Sequence, residues 1–342
     1  MAHSDSRDFN VGTFVWSGFD YLGESRGWPQ TSKARGTVGD VAGFTKESAW
    51  WLRSWWLSNI SASDAGRPVL PAAMANAALE PQGAPAAATT VRIIDAWTAP
   101  KQGGAPNRTI HVYSDAPVVK LYLNGAAVGS AAVDFFGHAE FSVAYAAGAL
   151  VAKAIGAGGA TLATHTTGTV GAAASVRLTL DAPSPLTGTG SALVADGADT
   201  AMLRAEILDG TGALVTSAAD AFSEITFAVT SGGGRLMATH SGDPAEQERG
   251  ASVNAYHGLV RAFVRSSEVR AGPAARRALL AAVTPTAGHH TRIFTGEQLG
   301  AVDPIVVTAT VAGLPPATLS IPVTADEAQL PIHVAHAACE SC

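Results

Sequence analysis

Beyond residue 90 the apolar residues recur at every second position in short runs, and turn residues close most of the runs. Val119, Leu121 and Leu123 share one face of Val118 to Leu123, and Asn124-Gly125, the strongest short hairpin signal, follows directly. Thr109 to Tyr113, Phe141 to Tyr145 and Leu150 to Ile155 have the same β-rich character, which persists to about Thr167. Farther on, Leu203, Ala205 and Ile207 alternate with Arg204 and Glu206 ahead of Asp209-Gly210. Ile225, Phe227 and Val229 precede Gly232-Gly-Gly234. Val260, Ala262 and Val264 alternate with Arg261 and Arg265, which are expected to be exposed, and Ile305, Val307, Ala309 and Val311 read as the closing strand. A period of two is the signature of strands with one buried face, and many such strands with regular turns fold as sandwiches.

The pattern divides into a β-sandwich of immunoglobulin size over 91–168 and a second over 173–325, with an insertion at 268–300 and a tail at 326–342. Residues 61–90 read as a linker, because Arg67-Pro-Val-Leu-Pro71 and Glu80-Pro-Gln-Gly-Ala-Pro85 break every periodicity. The opening is different. Six of the seven tryptophans lie in the first 56 residues. There, Val11 to Val15 reads as a strand, Gly23 to Gly43 as a loop and Lys46 to Ile60 as a helix. On that helix Ala49, Leu52 and Trp56 are placed on one face, with Trp51 and Trp55 on a neighbouring one. One βα unit is too small to be a domain. The expected architecture is mainly β, with two tandem immunoglobulin-like sandwiches behind that unit.

Several function classes are disfavoured. A net charge of −6 offers no basic field for nucleic acid. No run approaches the 18 or so apolar residues of a membrane span, and no secretory signal is visible, although a secreted parent protein stays compatible with this. Nothing indicates an organic cofactor. The tail holds His333, His336, Cys339 and Cys342, spaced by three, which make a chemically sensible tetrahedral zinc set. Against that, structural zinc sites usually need a longer spacer between ligand pairs, and a disordered tail is the competing reading. His289-His290 and His3-Ser4-Asp5 read as loop residues.

The segment Gly12-Thr-Phe-Val-Trp-Ser-Gly-Phe-Asp-Tyr-Leu-Gly-Glu24, continued by Trp28-Pro29, Gly36, Asp40-Val-Ala-Gly-Phe-Thr-Lys46 and the aromatic helix, resembles the last barrel strand, loop and helix of glycoside hydrolase family 2. Trp97 and Val112-Tyr-Ser-Asp-Ala-Pro-Val-Val-Lys-Leu-Tyr-Leu-Asn-Gly125 resemble the sandwich that follows the barrel. Asp196-Gly197, Arg204 to Asp209, Gly242-Asp-Pro244 and Asn254 to Gly258 resemble a more distal one. The resemblance is nearest the β-galactosidase branch. It implies that residues 1–60 are the C-terminal remnant of a (β/α)₈ barrel that hydrolyses glycosides with retention, using two glutamates at the ends of earlier strands. Neither glutamate position is present in this chain, so the chain alone is expected to be inactive.

The resemblance also places residues. Trp16 corresponds to a tryptophan on the floor of the sugar pocket, where an indole face suits the C–H-rich face of a pyranose; the alternative is a core tryptophan. Asp20 is a weaker substrate-binding candidate that is expected to fix its loop by accepting backbone hydrogen bonds. Asp20 and Glu24 resemble an acid–base pair in spacing only, since the family motif gives neither a catalytic role. The tryptophans at 50, 51, 55 and 56 read as helix packing rather than a sugar-binding patch. Residues 1–60 are expected to pack on the first sandwich or to be poorly ordered. Two functions follow: the C-terminal portion of a β-galactosidase-like enzyme of carbohydrate metabolism, meeting a β-galactoside-type ligand, or a non-enzymatic carbohydrate-binding or scaffold module.

Overall fold

The computed structural model describes residues 14–23, 27–28, 32–33, 37–58, 89–99, 107–134, 136–185, 188–246, 250–268 and 302–325. Most of the linker, the insertion and the whole tail, with His289-His290, Glu24 and all four tail ligands, lie outside them. The chain is mainly β. It opens with β1 (Tyr21–Leu22) paired antiparallel to β2 (Ser32–Lys33), followed by helix α1 (Glu47–Ser58). Residues 11–13 of the expected first strand are outside the described set, and Phe14 and Val15 are not in a strand.

Seven strands follow: β3 (Val91–Ile93), β4 (Asn107–Ser114), β5 (Val118–Leu123), β6 (Ala126–Ala132), β7 (His138–Ala144), β8 (Ala149–Ile155) and β9 (Thr161–Gly168). They form an antiparallel sheet β3-β4-β7 facing an antiparallel sheet β6-β5-β8-β9. Asn124 and Gly125 turn β5 into β6 with φ of 52° and 83°, as the primed hairpin turn requires. Ile110, Val112, Val119, Leu121 and Leu150 are inward and fully buried with Trp97, whose indole N–H donates to the Ala146 carbonyl at 3.0 Å.

The second set comprises β10 (Ala173–Ala182), β11 (Leu193–Val194), β12 (Thr200–Asp209), β13 (Glu224–Ser231), β14 (Gly234–His240), β15 (Ser252–Asn254), β16 (Leu259–Ser266), β17 (Ile305–Thr310), β18 (Ala317–Ile321) and β19 (Val323–Thr324). Sheet β10-β12-β16-β14 packs on sheet β15-β13-β17-β18, and β11 pairs parallel with β19. Leu203, Ala205 and Ile207 meet Ile225, Phe227, Ile305 and Val307 in the core. The strand at Ile305 is not the last: β18 pairs with it antiparallel and β19 follows.

Arg261 corrects the sequence reading. It is buried, with Arg204 and Glu206, on the outer face of β12 and β16. That face is wet only where nothing covers it, and here the segment before α1 does. Alternation identifies the two faces of a strand but not what lies over the second. Glu206 accepts from Arg177 Nε at 2.9 Å, and Asp181 accepts from Arg204 at 2.9 Å and from Arg261. Buried cations are tolerable only with such partners.

Helix α1 lies on β4 and β7. The tryptophan faces also differ from expectation. Trp50, Leu52, Ser54 and Trp55 are buried, whereas Trp56 is exposed. The sandwich selects this stripe. Ser54 Oγ reaches the Gly137 carbonyl at 3.3 Å, Arg53 donates to the Thr90 hydroxyl, and Arg92 sits 5.1 Å over the Trp50 ring. Trp55 stacks on Trp51 at 5.5 Å and meets Phe136 at 6.1 Å. Gly137, at φ 73°, is the point of closest approach: a Cβ there would stand 2.7 Å from Ser54 Oγ and 2.9 Å from the helix backbone.

Candidate functional site

The segment preceding α1 is held by a small buried polar knot. Phe19 and Gly39 form a parallel bridge in which Asp20 N donates to Gly39 O and Gly39 N donates to Gly18 O, both at 2.9 Å. That pairing buries the Asp20 side chain. Lys46 Nζ donates to its two carboxylate oxygens at 3.0 and 3.1 Å and to Thr37 Oγ1 at 2.7 Å, while the Thr37 hydroxyl is itself hydrogen-bonded to Asp20. Asp20 therefore orders its loop through side-chain partners on the far side of the loop, where backbone donors were expected. Neither partner is paired with it by sequence spacing, because Thr37 and Lys46 are 17 and 26 residues away.

A second carboxylate closes the next turn. Asp40 Oδ1 accepts from Ala42 N and Phe44 N at 2.9 Å each, shaping residues 40–44 into a compact loop. Burial pushes its carboxyl up to about 6, against the lowering effect of those two N–H groups. This loop docks on the second sandwich. Arg261 Nε donates to Ala42 O at 3.2 Å, its guanidinium lies 4.4 Å over the Phe44 ring, and Gly242 faces the Asp40 carboxylate so closely that a Cβ would fall 2.1 Å from Oδ2. The opening unit thus packs on both sandwiches, not on the first alone.

Beyond the knot the chain turns outward. Trp16 is 72% exposed, follows the exposed Phe14 and donates its indole N–H to the Tyr21 hydroxyl at 3.2 Å. The Trp16–Ser17 peptide is cis, and Ser17 Oγ donates to Phe19 O at 2.9 Å. Phe19, Leu22 and Trp28 are exposed as well. Trp16 and Asp20 are therefore brought close in the chain fold but face different surroundings, one open and one enclosed.

The description "Glycoside hydrolase family 2 C-terminal domain 5" matches residues 185–279, and a domain of unknown function (DUF4982) matches residues 107–163. A β-galactosidase, BoGH2A of Bacteroides ovatus, is 28% identical over 248 residues, which is 71% of this chain and 24% of that enzyme. The chain therefore spans about a quarter of that relative's length. Among solved structures, a β-glycosidase from Bacteroides vulgatus superposes with a TM-score of 0.62 at 19% identity, covering 90% of this chain and 30% of that one. A family 2 glycosyl hydrolase from Bacteroides cellulosilyticus also gives 0.62, at 22% identity, covering 95% of this chain and 37% of that one. Those two likenesses concern the fold. The sequence matches make this chain similar to the C-terminal portion of glycoside hydrolase family 2 enzymes.

Proposed function

We propose that this chain is the C-terminal part of a retaining, β-galactosidase-like enzyme and contributes Trp16 as one wall of its sugar pocket. The exposed indole carries the reading. It is fixed at its N–H by Tyr21 while its loop is anchored by Asp20, Thr37 and Lys46, so an apolar face is presented in a set orientation. Holding a platform rigid lowers the entropy lost when a pyranose stacks on it. Asp20 serves as a positioning residue for that platform. The neighbouring exposed side chains of Phe14, Phe19, Leu22 and Trp28 suit a surface covered by further barrel elements.

Retaining hydrolysis needs a carboxylic acid and a carboxylate about 5–5.5 Å apart across the glycosidic bond. By the family resemblance both would stand on earlier barrel strands. The chain alone therefore binds without turning over. The test is incubation of the purified chain with a chromogenic β-galactoside beside a heat-killed control, together with galactose-ligand titration of wild type, Trp16→Ala and Trp56→Ala. No turnover is expected, with weak saturable binding lost in Trp16→Ala and kept in Trp56→Ala. Turnover above the control would overturn the inactive-chain reading, and binding indifferent to Trp16 would remove the platform. Sugar binding that serves no catalysis, as a carbohydrate-binding module, is the second reading, favoured if the chain binds galactosides as tightly as it binds when joined to a barrel.

A further inference from the structure

On the sheet β3-β4-β7, Ile110 and Val112 point into the core, so His111 and Tyr113 point outward from β4. On β7, Ala139, Phe141 and Val143 point inward and His138 and Glu140 outward. The register sets His111 opposite Glu140 and Tyr113 opposite His138, which brings three donors to one patch. One ligand atom from each of His111, His138 and Glu140 lies within 4.8 Å of the others. The two imidazoles stack at 5.4 Å with 25° between their planes.

What points to a ligand is the carboxylate behind each imidazole. Asp95 Oδ2 lies 3.1 Å from His111 Nδ1 and also accepts from His111 N. Asp134 Oδ2 lies 3.6 Å from His138 Nδ1, and its Oδ1 accepts from Phe136 N and His138 N at 2.9 Å, which fixes the carboxylate in place. Asp95, hydrogen-bonded at His111 Nδ1, favours the proton there and leaves the Nε2 lone pair for a metal, the arrangement that orients ligating histidines, while Asp134 stands in ion-pair range of His138 Nδ1 without a hydrogen bond to it. Both histidines are partly exposed and Glu140 is exposed, so an ion has access from solvent.

We propose that His111, His138 and Glu140 form a binding site for a divalent transition-metal ion of the zinc class, with water completing the shell. Two imidazole nitrogens and one carboxylate oxygen are donors that such ions take readily, and that magnesium or calcium take poorly. Tetrahedral ligation at about 2.0–2.1 Å puts ligand atoms roughly 3.3 Å apart, so closure needs an ångström or so of side-chain rotation. Glu140, on the open side of the sheet, supplies it. The ion would cross-link β4 to β7 on the face that carries α1. This inference is independent of the hydrolase reading.

The test uses the full chain with His333→Ala, His336→Ala, Cys339→Ser and Cys342→Ser together, so that the tail cannot compete for metal. After treatment with chelator, the protein is titrated with Co²⁺ by visible absorption and with Zn²⁺ by calorimetry. One ion per chain is expected, without the near-ultraviolet thiolate band of a cysteine site. Glu140→Gln and His138→Asn should each weaken binding at least tenfold, and Asp134→Asn roughly 10–100-fold, through the orientation of His138. Circular dichroism of each variant checks that the sandwich is folded. Absence of saturable binding, or binding unchanged in folded Glu140→Gln and His138→Asn, would overturn the site.

Discussion

The two ends of the opening segment obey opposite rules. Residues 37–55 are clasped between sandwiches, with Trp50 and Trp55 buried, a helix backbone almost touching Gly137 and a loop tied to Arg261. Residues 14–28 present Phe14, Trp16, Phe19, Leu22 and Trp28 to solvent. Both stretches are aromatic-rich, so composition does not separate them; what separates them is whether this chain supplies the covering surface. The sandwiches bury Phe44, Trp50, Leu52 and Trp55 of the inner end. The outer end is ordered instead by short polar contacts, Trp16 to Tyr21 within it and Asp20 to Lys46 of the inner end. An apolar surface of this kind marks a contact with something else. The sandwiches act as a foundation, holding a strip of exposed apolar surface by its base.

The base breaks most easily at Gly137. Gly137→Ala combines a positive φ with a Cβ pressed into the backbone of α1, and about 2–4 kcal/mol of lost stability is expected. Gly159→Ala is the control: its φ is 82° but nothing lies within 4 Å of the added methyl, so roughly 1 kcal/mol is expected. Thermal unfolding compares the two, and tryptophan emission reports on the helix. A red shift confined to Gly137→Ala would mean that Trp50 and Trp55 had become hydrated. Equal losses in the two variants would show that α1 yields freely and is not held by this contact.

The loop at 40–44 gives a smaller effect. Arg261→Met keeps apolar volume over Phe44 but leaves the Ala42 carbonyl without its donor, while Asp181 keeps Arg204. A cost of about 1–2 kcal/mol is expected, short of the 3–5 typical when a buried charge loses its only partner. Hydrogen exchange at residues 40–46 should rise while that of β4 and β7 stays as in the wild type. Faster exchange in both places would mean that the two docking contacts form one cooperative unit.

Much of the β framework is legible without coordinates. Val118 to Leu123 with Asn124-Gly125 gives strand, turn and register together, and the alternation at Leu203 to Ile207 identifies a core face correctly. Arg261 is not legible in the same way, because a strand pattern reports two faces and the cover on the second comes from residues more than 200 positions earlier. The buried stripe of α1 fails for a related reason. Tryptophan at four positions makes the helix apolar nearly all round, and only the sandwich surface decides that Trp56 stays outside. Trp16 is singled out by its motif, not by any period. His111 and Glu140 are 29 residues apart and become neighbours only when β4 and β7 are put in register, so no spacing rule links them.

The gentlest probe of the comparison is protonation at Asp40. Its folded-state value is about 6 against an ordinary 3.8, because burial penalises the charge. For a raised carboxyl the folded state binds the proton more tightly than the unfolded chain. The stabilisation from the neutral form is thus complete below about 3.8, declines as pH rises, and is gone once pH passes about 6. Asp40→Asn keeps an oxygen to accept from Ala42 N and Phe44 N and removes the charge. Melting curves of the two proteins in parallel from pH 4 to pH 8 cancel the other titrating groups. The variant should melt higher at pH 8, by about 2–4 °C per kcal/mol for a protein of this size, with the gap closing toward pH 4. A constant gap would place the Asp40 carboxylate in water and dissociate the loop from Gly242. A closing gap, with Trp16 emission unchanged throughout, would show that the anchored base titrates while the exposed strip above it does not respond.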